Sequence, residues 1–186
     1  VSHAEIEAGS IPATETSGGV RKGALLAWVV GVVVLIDYLT KEWVVRTIPM
    51  YERREVLGDW FRLTYTHNPG AAFGIHVGEH SRFFFLGLAL VALVVLALIY
   101  RATSRRDGLR LFAVALVTAG AIGNVLDRLR YSAGVVDFLD VGIGDSRWPT
   151  FNVADSAVSV GAVLLLVSFW LEERRARDSG DRTASA

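Results

Sequence analysis

The sequence predicts an all-α membrane protein: four transmembrane helices, with a small extracytoplasmic β-rich segment between helices one and two. Three observations predict it. Apolar residues make up 52% of the 186 residues, and mean hydropathy is +0.41. They are gathered into blocks instead of being spread as a soluble domain requires. Four of those blocks are long enough to cross a hydrocarbon core, and basic residues collect at alternate ends of them.

Residues 1–22 are rich in Ser, Gly, Thr and Glu without periodic apolar positions, and are expected to be a disordered extension. The first helix is expected from Ala24 to about Val45. Arg21 and Lys22 before it resemble a signal peptide's charged start. No small-residue cleavage site follows, and Asp37, Lys41 and Glu42 interrupt its far end, so the helix is expected to be retained. Residues 49–77 lack a helical pattern. Val56, Trp60, Leu63 and Tyr65 suit short strands around a Gly58-Asp59 turn, and Pro69-Gly70 marks a further turn.

The second helix, Phe83 to Tyr100, holds 18 uncharged residues, about 27 Å at the helical rise. The third is expected from Leu109 to Leu129 and the fourth from Val153 to Leu171, with residues 173–186 as a tail. Residues 23–172 thus form the membrane domain.

Orientation follows from the arginines. Arg101, Arg105, Arg106 and Arg110 fill the loop between helices two and three, and Arg174, Arg175 and Arg177 follow helix four. With Arg21 and Lys22 they all fall on one side, so both termini are expected in the cytoplasm. Trp28, Tyr100 and Trp170 then lie near inner ends, and Trp43 and Tyr131 near outer ends. Arg53 and Arg54 in the outer segment reduce the contrast.

Composition removes several functions. Net charge is zero, so bulk electrostatics name no partner, and none is expected among nucleic acids. The absence of cysteine excludes thiol nucleophiles, disulfides and cysteine-ligated metals. Phosphate loops and zinc-ligand spacings are absent too, and His3, His67, His76 and His80 are scattered. Neither a metal nor a cofactor is expected.

Polar residues recur in three sets. Asp37, Thr40 and Lys41 end the first helix; Asn124, Asp127 and Arg128 end the third; Asn152, Asp155 and Ser156 open the fourth. Each set stands at i, i+3 and i+4, hence on one helix face. With the orientation above, all three lie in the outer part of the bilayer, where ionisable groups are costly and mark function. Helix two is expected to contribute none.

A purely structural role is open to some of them, because polar groups also bridge membrane helices. Lys41 and Arg128 are able to neutralise Asp37 and Asp127. Asp137 and Asp155 have no sequence-local cation, whereas Asp59, Asp140 and Asp145 read as solvated loop charges. Two carboxylates without a metal-ligand set suit water activation. The pair shares one proton, the ionised member takes a proton from water, and the neutral member gives one to the substrate. The residues alone leave open which two aspartates pair.

Four boxes in order resemble the bacterial lipoprotein signal peptidases (signal peptidase II), a family of membrane aspartyl proteases. They are D-Y-L-T-K from Asp37 and N-P-G-A-A-F-G from Asn68, then G-A-I-G-N-V-L-D-R from Gly120 with V-V-D-F from Val135, and last F-N-V-A-D-S from Phe151. The resemblance implies Asp137 and Asp155 as the catalytic dyad, with Asn124, Arg128 and Asn152 lining the site and Asp37, Lys41 and Asn68 in support. It implies cleavage of a prolipoprotein signal peptide before a diacylglyceryl-modified cysteine, by a multi-pass enzyme of the cell membrane whose site opens on the extracytoplasmic face. Membrane lipid and the lipidated substrate are the implied partners, and a monomer is expected. It further implies that the segment after Pro49 covers the substrate and that Gly142 to Gly144 flex as part of a gate. The rival reading is a small ion- or proton-coupled transporter, since intramembrane Asp, Lys and Arg mark such pathways too.

Overall fold

The computed structural model describes residues 22–70 and 78–184. Residues 1–21 of the expected N-terminal extension, and Ala71 to Gly74 of the second box, lie outside the described residues. Among the described residues there are four α-helices: α1 (Lys22–Thr47), α2 (Ser81–Ala102), α3 (Gly108–Arg130) and α4 (Val153–Ala184). Each contains a stretch long and apolar enough to cross a membrane. Their outward faces carry exposed large apolar side chains, among them Leu35 and Leu39 on α1 and Leu88, Val91, Val94 and Leu98 on α2. Such continuous apolar surface is unsuited to water and suited to lipid.

The fourth span is expected to end at about Leu171, and α4 continues beyond it to Ala184. Glu172 to Arg177, just past the span, are good helix formers, and Glu173 pairs with Arg177 one turn on.

Helices α3 and α4 approach closely because small residues meet between them. A Cβ on Gly120 would fall 2.2 Å from the carbonyl oxygen of Ala154, and one on Gly161 would fall 2.6 Å from Val117. Ala113, Ala119 and Ala154 are fully buried in this seam. In lipid such backbone proximity replaces the hydrophobic effect as the source of helix association.

The hairpin expected in residues 49–77 forms as β1 (Arg53–Leu57) and β2 (Phe61–Asn68), turning at Gly58 with φ +55°. The segment between α3 and α4 adds two strands that the sequence did not suggest. These are β3 (Val135–Ile143) and β4 (Ser146–Arg147), which complete an antiparallel sheet in the order β1-β2-β3-β4. Val44 of α1 and Ile48 just beyond its end pack with Tyr65, Val136 and Phe138, so the sheet is fixed onto the end of the helical bundle.

One sequence expectation changes here. Asp140 is not solvated: it is 4% exposed, accepts from Thr64 at 2.9 Å and pairs with Arg147. Gly142 to Gly144 lie at the β3–β4 hairpin, where Asp59 accepts from the Gly144 amide.

Candidate active site

Two pairings bring the polar sets together with β3. Strand β3 runs antiparallel to β2, setting Asp137 opposite Thr66 and Val135 opposite Asn68. On its other side, Phe151 accepts from the amides of Phe138 and Leu139 at 3.0 and 2.7 Å and donates back to Leu139 at 3.1 Å. The chain leading into α4 is thereby stitched to the strand that carries Asp137.

At the head of α4, Asn152 is the residue before the first helical position. Its side-chain oxygen accepts from the Asp155 amide at 2.8 Å, and the Asp155 carboxylate accepts from the Asn152 amide at 3.2 Å. This is a capping box, in which two orphan helix donors are satisfied reciprocally. It places Asp155 in the first turn of α4, where the helix dipole favours negative charge. The N-x-x-D spacing was visible in the sequence and carries this second meaning beside the shared face.

The two carboxylates are held by a chain of amides. Asn152 Nδ2 donates to Asp137 at 2.7 Å and Asn124 Nδ2 donates to Asp155 at 2.7 Å. Asn152 also reaches the Asn124 oxygen at 3.3 Å and the Val136 carbonyl at 3.2 Å. Asn68 adds a side-chain hydrogen bond to Asp137.

The environments of the two aspartates differ. Asp137 is 2% exposed, and burial, then the charge of Asp155, push its carboxyl up to about 7 despite the amide bonds. Asp155 instead lines a cavity of about 670 Å³ together with Asn68, Trp148, Phe151, Val158 and Val160. One carboxyl is thus dry and the other borders an apolar recess along α4.

Lys41 sits behind this pair, 3% exposed, with its ammonium 2.7 Å from Asp37 and 2.9 Å from Asp127. Asp37 also accepts from the Ala154 amide at 2.9 Å, and Asp127 from the Val136 amide at 3.0 Å. These amides belong to the residues immediately before Asp155 and Asp137. One cation therefore holds two carboxylates, and each carboxylate pins the segment that carries one of these aspartates. Gly123 makes room for this, since a Cβ there would lie 2.7 Å from the Asp37 carboxylate.

The Asp127 carboxylate pairs with Lys41 and not with its sequence neighbour Arg128. Arg128 Nη1 donates to the Asn124 carbonyl at 3.1 Å, and the Arg128 charge acts on Asp155 and Asp137. Its buried Nε has no hydrogen-bond partner among the described residues.

The structure thus brings together Asp37, Lys41, Asn68, Asn124, Arg128, Asp137, Asn152 and Asp155. Thr40 and Ser156 stay outside the network, because each hydroxyl bonds back to a carbonyl of its own helix. Helix α2 does contribute, contrary to expectation. Arg82 donates to the Arg128 carbonyl, and the Phe85 ring lies 6.0 Å from the Arg128 guanidinium, a cation–π distance. Nothing in the spacing of α2 marks these two residues.

Comparison with known proteins finds a family and a shared fold. The profile of the family described as signal peptidase (SPase) II matches residues 29–171. Relatives named lipoprotein signal peptidase include one from Syntrophotalea carbinolica, 44% identical over 147 residues, covering 78% of this chain and 91% of the relative. Another, from Cupriavidus taiwanensis, is 46% identical over 148 residues, covering 78% of this chain and 80% of the relative. A solved structure described as a bacterial membrane enzyme, determined by the in meso method at 2.3 Å resolution, superposes with a TM-score of 0.72. It shares 28% identity and covers 81% of this chain and 90% of that one.

Proposed function

The chain belongs to the signal peptidase II family, and from that premise we propose that Asp137 and Asp155 are the catalytic dyad of its peptidase reaction. It is an aspartic peptidase of the membrane that removes signal peptides from prolipoproteins. The transporter reading is not supported.

The observation that carries the dyad is its asymmetry within one hydrogen-bonded frame. Asp155 is the general base: it borders the cavity, accepts from two N–H groups and sits at the positive end of α4. Asp137 is the acid, kept protonated near neutral pH by burial. Asp155 takes a proton from water as the oxygen attacks the scissile carbonyl carbon, while Asp137 gives its proton to the carbonyl oxygen. The tetrahedral intermediate then collapses. A hydroxyl proton returns to Asp137, the proton on Asp155 passes to the departing nitrogen, and the C–N bond breaks. The charge of Arg128 acts on both carboxylates and offsets the negative charge they share.

Asn124 and Asn152 orient the carboxylates, with Asn68, Asp37 and Lys41 behind them. The apolar recess along α4 suits a diacylglyceryl-modified cysteine, whose acyl chains lie in the bilayer and bring the bond before it to the depth of the dyad. The peptidase unit spans residues 23–172 and is complete in one chain. Purified protein given a diacylglyceryl prolipoprotein releases the shorter product, whereas the same peptide with unmodified cysteine is left uncut. Equal cleavage of both substrates removes the lipid requirement, and cleavage of neither removes the activity.

The dyad faces the extracytoplasmic side in this reading, with both termini in the cytoplasm. The chain lacks cysteine, so single cysteines report position cleanly. In intact cells, an impermeant maleimide labels Glu52→Cys, on the exposed turn before β1, and spares Ser104→Cys between α2 and α3. The opposite pattern overturns the orientation.

A further inference from the structure

A second cavity, of about 360 Å³, lies at the end of the bundle opposite the dyad, between the α2–α3 loop, the start of α3 and the far part of α4. Its lining is amphipathic: Leu109 and Leu171 supply apolar walls, and Arg106 and Arg175 a basic rim. Two acidic groups, Asp107 and Glu172, also line it, but both are engaged by Arg110, which pairs with them at 3.2 and 2.7 Å and donates to Ser168 at 3.0 Å. The guanidinium groups of Arg106 and Arg175 have no ion-pair partner among the described residues. The cavity therefore presents uncompensated positive charge above an apolar floor.

Its depth is set by its neighbours. Trp170, half exposed and stacked under Arg174 at 4.6 Å, precedes Leu171, and Tyr100 lies one turn before the loop. Amphipathic aromatics and arginines of this kind mark the boundary between hydrocarbon and headgroups. A cleft at that boundary with an apolar floor and a basic rim matches one class of ligand, a lipid with acyl chains below and a negative phosphodiester above.

We infer that this cavity binds the headgroup of an anionic glycerophospholipid in the leaflet opposite the dyad. The inference stands independently of the peptidase chemistry. Two arginines near the membrane surface together account for about a thirty-fold preference.

The test uses the full chain purified in detergent, with lipid adducts quantified by native mass spectrometry. Phosphatidylglycerol is expected to bind about thirty-fold more tightly than phosphatidylcholine, a margin set by the two arginines. Arg106→Gln/Arg175→Gln should abolish that preference while leaving turnover of prolipoprotein and thermal stability unchanged. Arg105→Gln/Arg174→Gln, with the same loss of charge outside the cavity lining, should keep it. Unchanged phosphatidylglycerol binding in the first variant, or equal loss in both, overturns the site. Complete displacement of the lipid by millimolar inorganic phosphate would show an anion site without lipid specificity, and overturns the lipid assignment.

Discussion

Asp137→Asn and Asp155→Asn each abolish turnover of lipidated prolipoprotein, yet they move stability differently. Loss of one member of an acid–base pair costs about 10² to 10⁴ in rate. Here each carboxyl both gives and takes a proton within one cycle, so either loss reaches the upper end, and the double variant is no worse than the single ones. Burial raises the Asp137 carboxyl to about 7 from an ordinary value of 3.8. The folded state thus binds a proton that the unfolded state has released, and stability is lost as pH rises from about 4 to 7. An amide at that position removes the penalty, so Asp137→Asn is more thermostable than the parent above pH 7 and gains nothing near pH 4. Asp155→Asn removes the neighbouring charge that contributes to that rise but also alters the capping box, so its gain above pH 7 is smaller than that of Asp137→Asn. In the parent, kcat/KM falls on the alkaline side with an apparent pKa near 7 that belongs to the pair. Turnover within a few-fold of the parent in either variant excludes the dyad, and a stability gain that ignores pH excludes the buried proton.

Lys41→Met removes most activity and a large part of the stability together, although Lys41 is not placed in contact with substrate. Its ammonium is shared by Asp37 and Asp127, all three being less than a tenth exposed. Removing one partner from a buried ionic cluster leaves uncompensated charge, typically at a cost of about 3–5 kcal/mol. The damage reaches the dyad because Asp37 holds the Ala154 amide and Asp127 holds the Val136 amide. Adding Asp37→Asn and Asp127→Asn to Lys41→Met should recover much of the stability, since the amide oxygens can still accept from both backbones while no charge stays buried. The readouts are the melting temperature in detergent and turnover for each variant. A single Lys41→Met with the parent's melting temperature means that the cluster does not hold the site. Failure of the triple variant to recover means that charge, not hydrogen bonding, is what pins the segments.

Arg128 shows where sequence reasoning stopped. Its nearness to Asp127 at the end of α3 suggests that it neutralises that carboxylate, and the structure gives Asp127 to Lys41 of another helix instead. A side chain's partner within its own helix can be read from i, i+3 and i+4 spacing, but competition from a second helix cannot. Asp140 fails for the same reason, because a loop carboxylate reads as solvated until a strand carrying Thr64 is laid beside it. Arg82 and Phe85 reach the site only because α2 begins beside the end of α3.

The sequence by itself determined the four spans, the polar faces at the ends of α1 and α3 and the head of α4, and the boxes that identify the family. Those properties depend on local composition and on the 3.6-residue period, which a chain carries whether or not it is folded. Only the tertiary structure decided how Asp137 and Asp155 meet. The pairing of β3 with β2 and with Phe151, and the bridge of Lys41 across α1 and α3, join residues far apart in the chain. Such contacts follow from which backbone amides and carboxylates find each other in a dry, closely packed interior, and no local pattern encodes that choice.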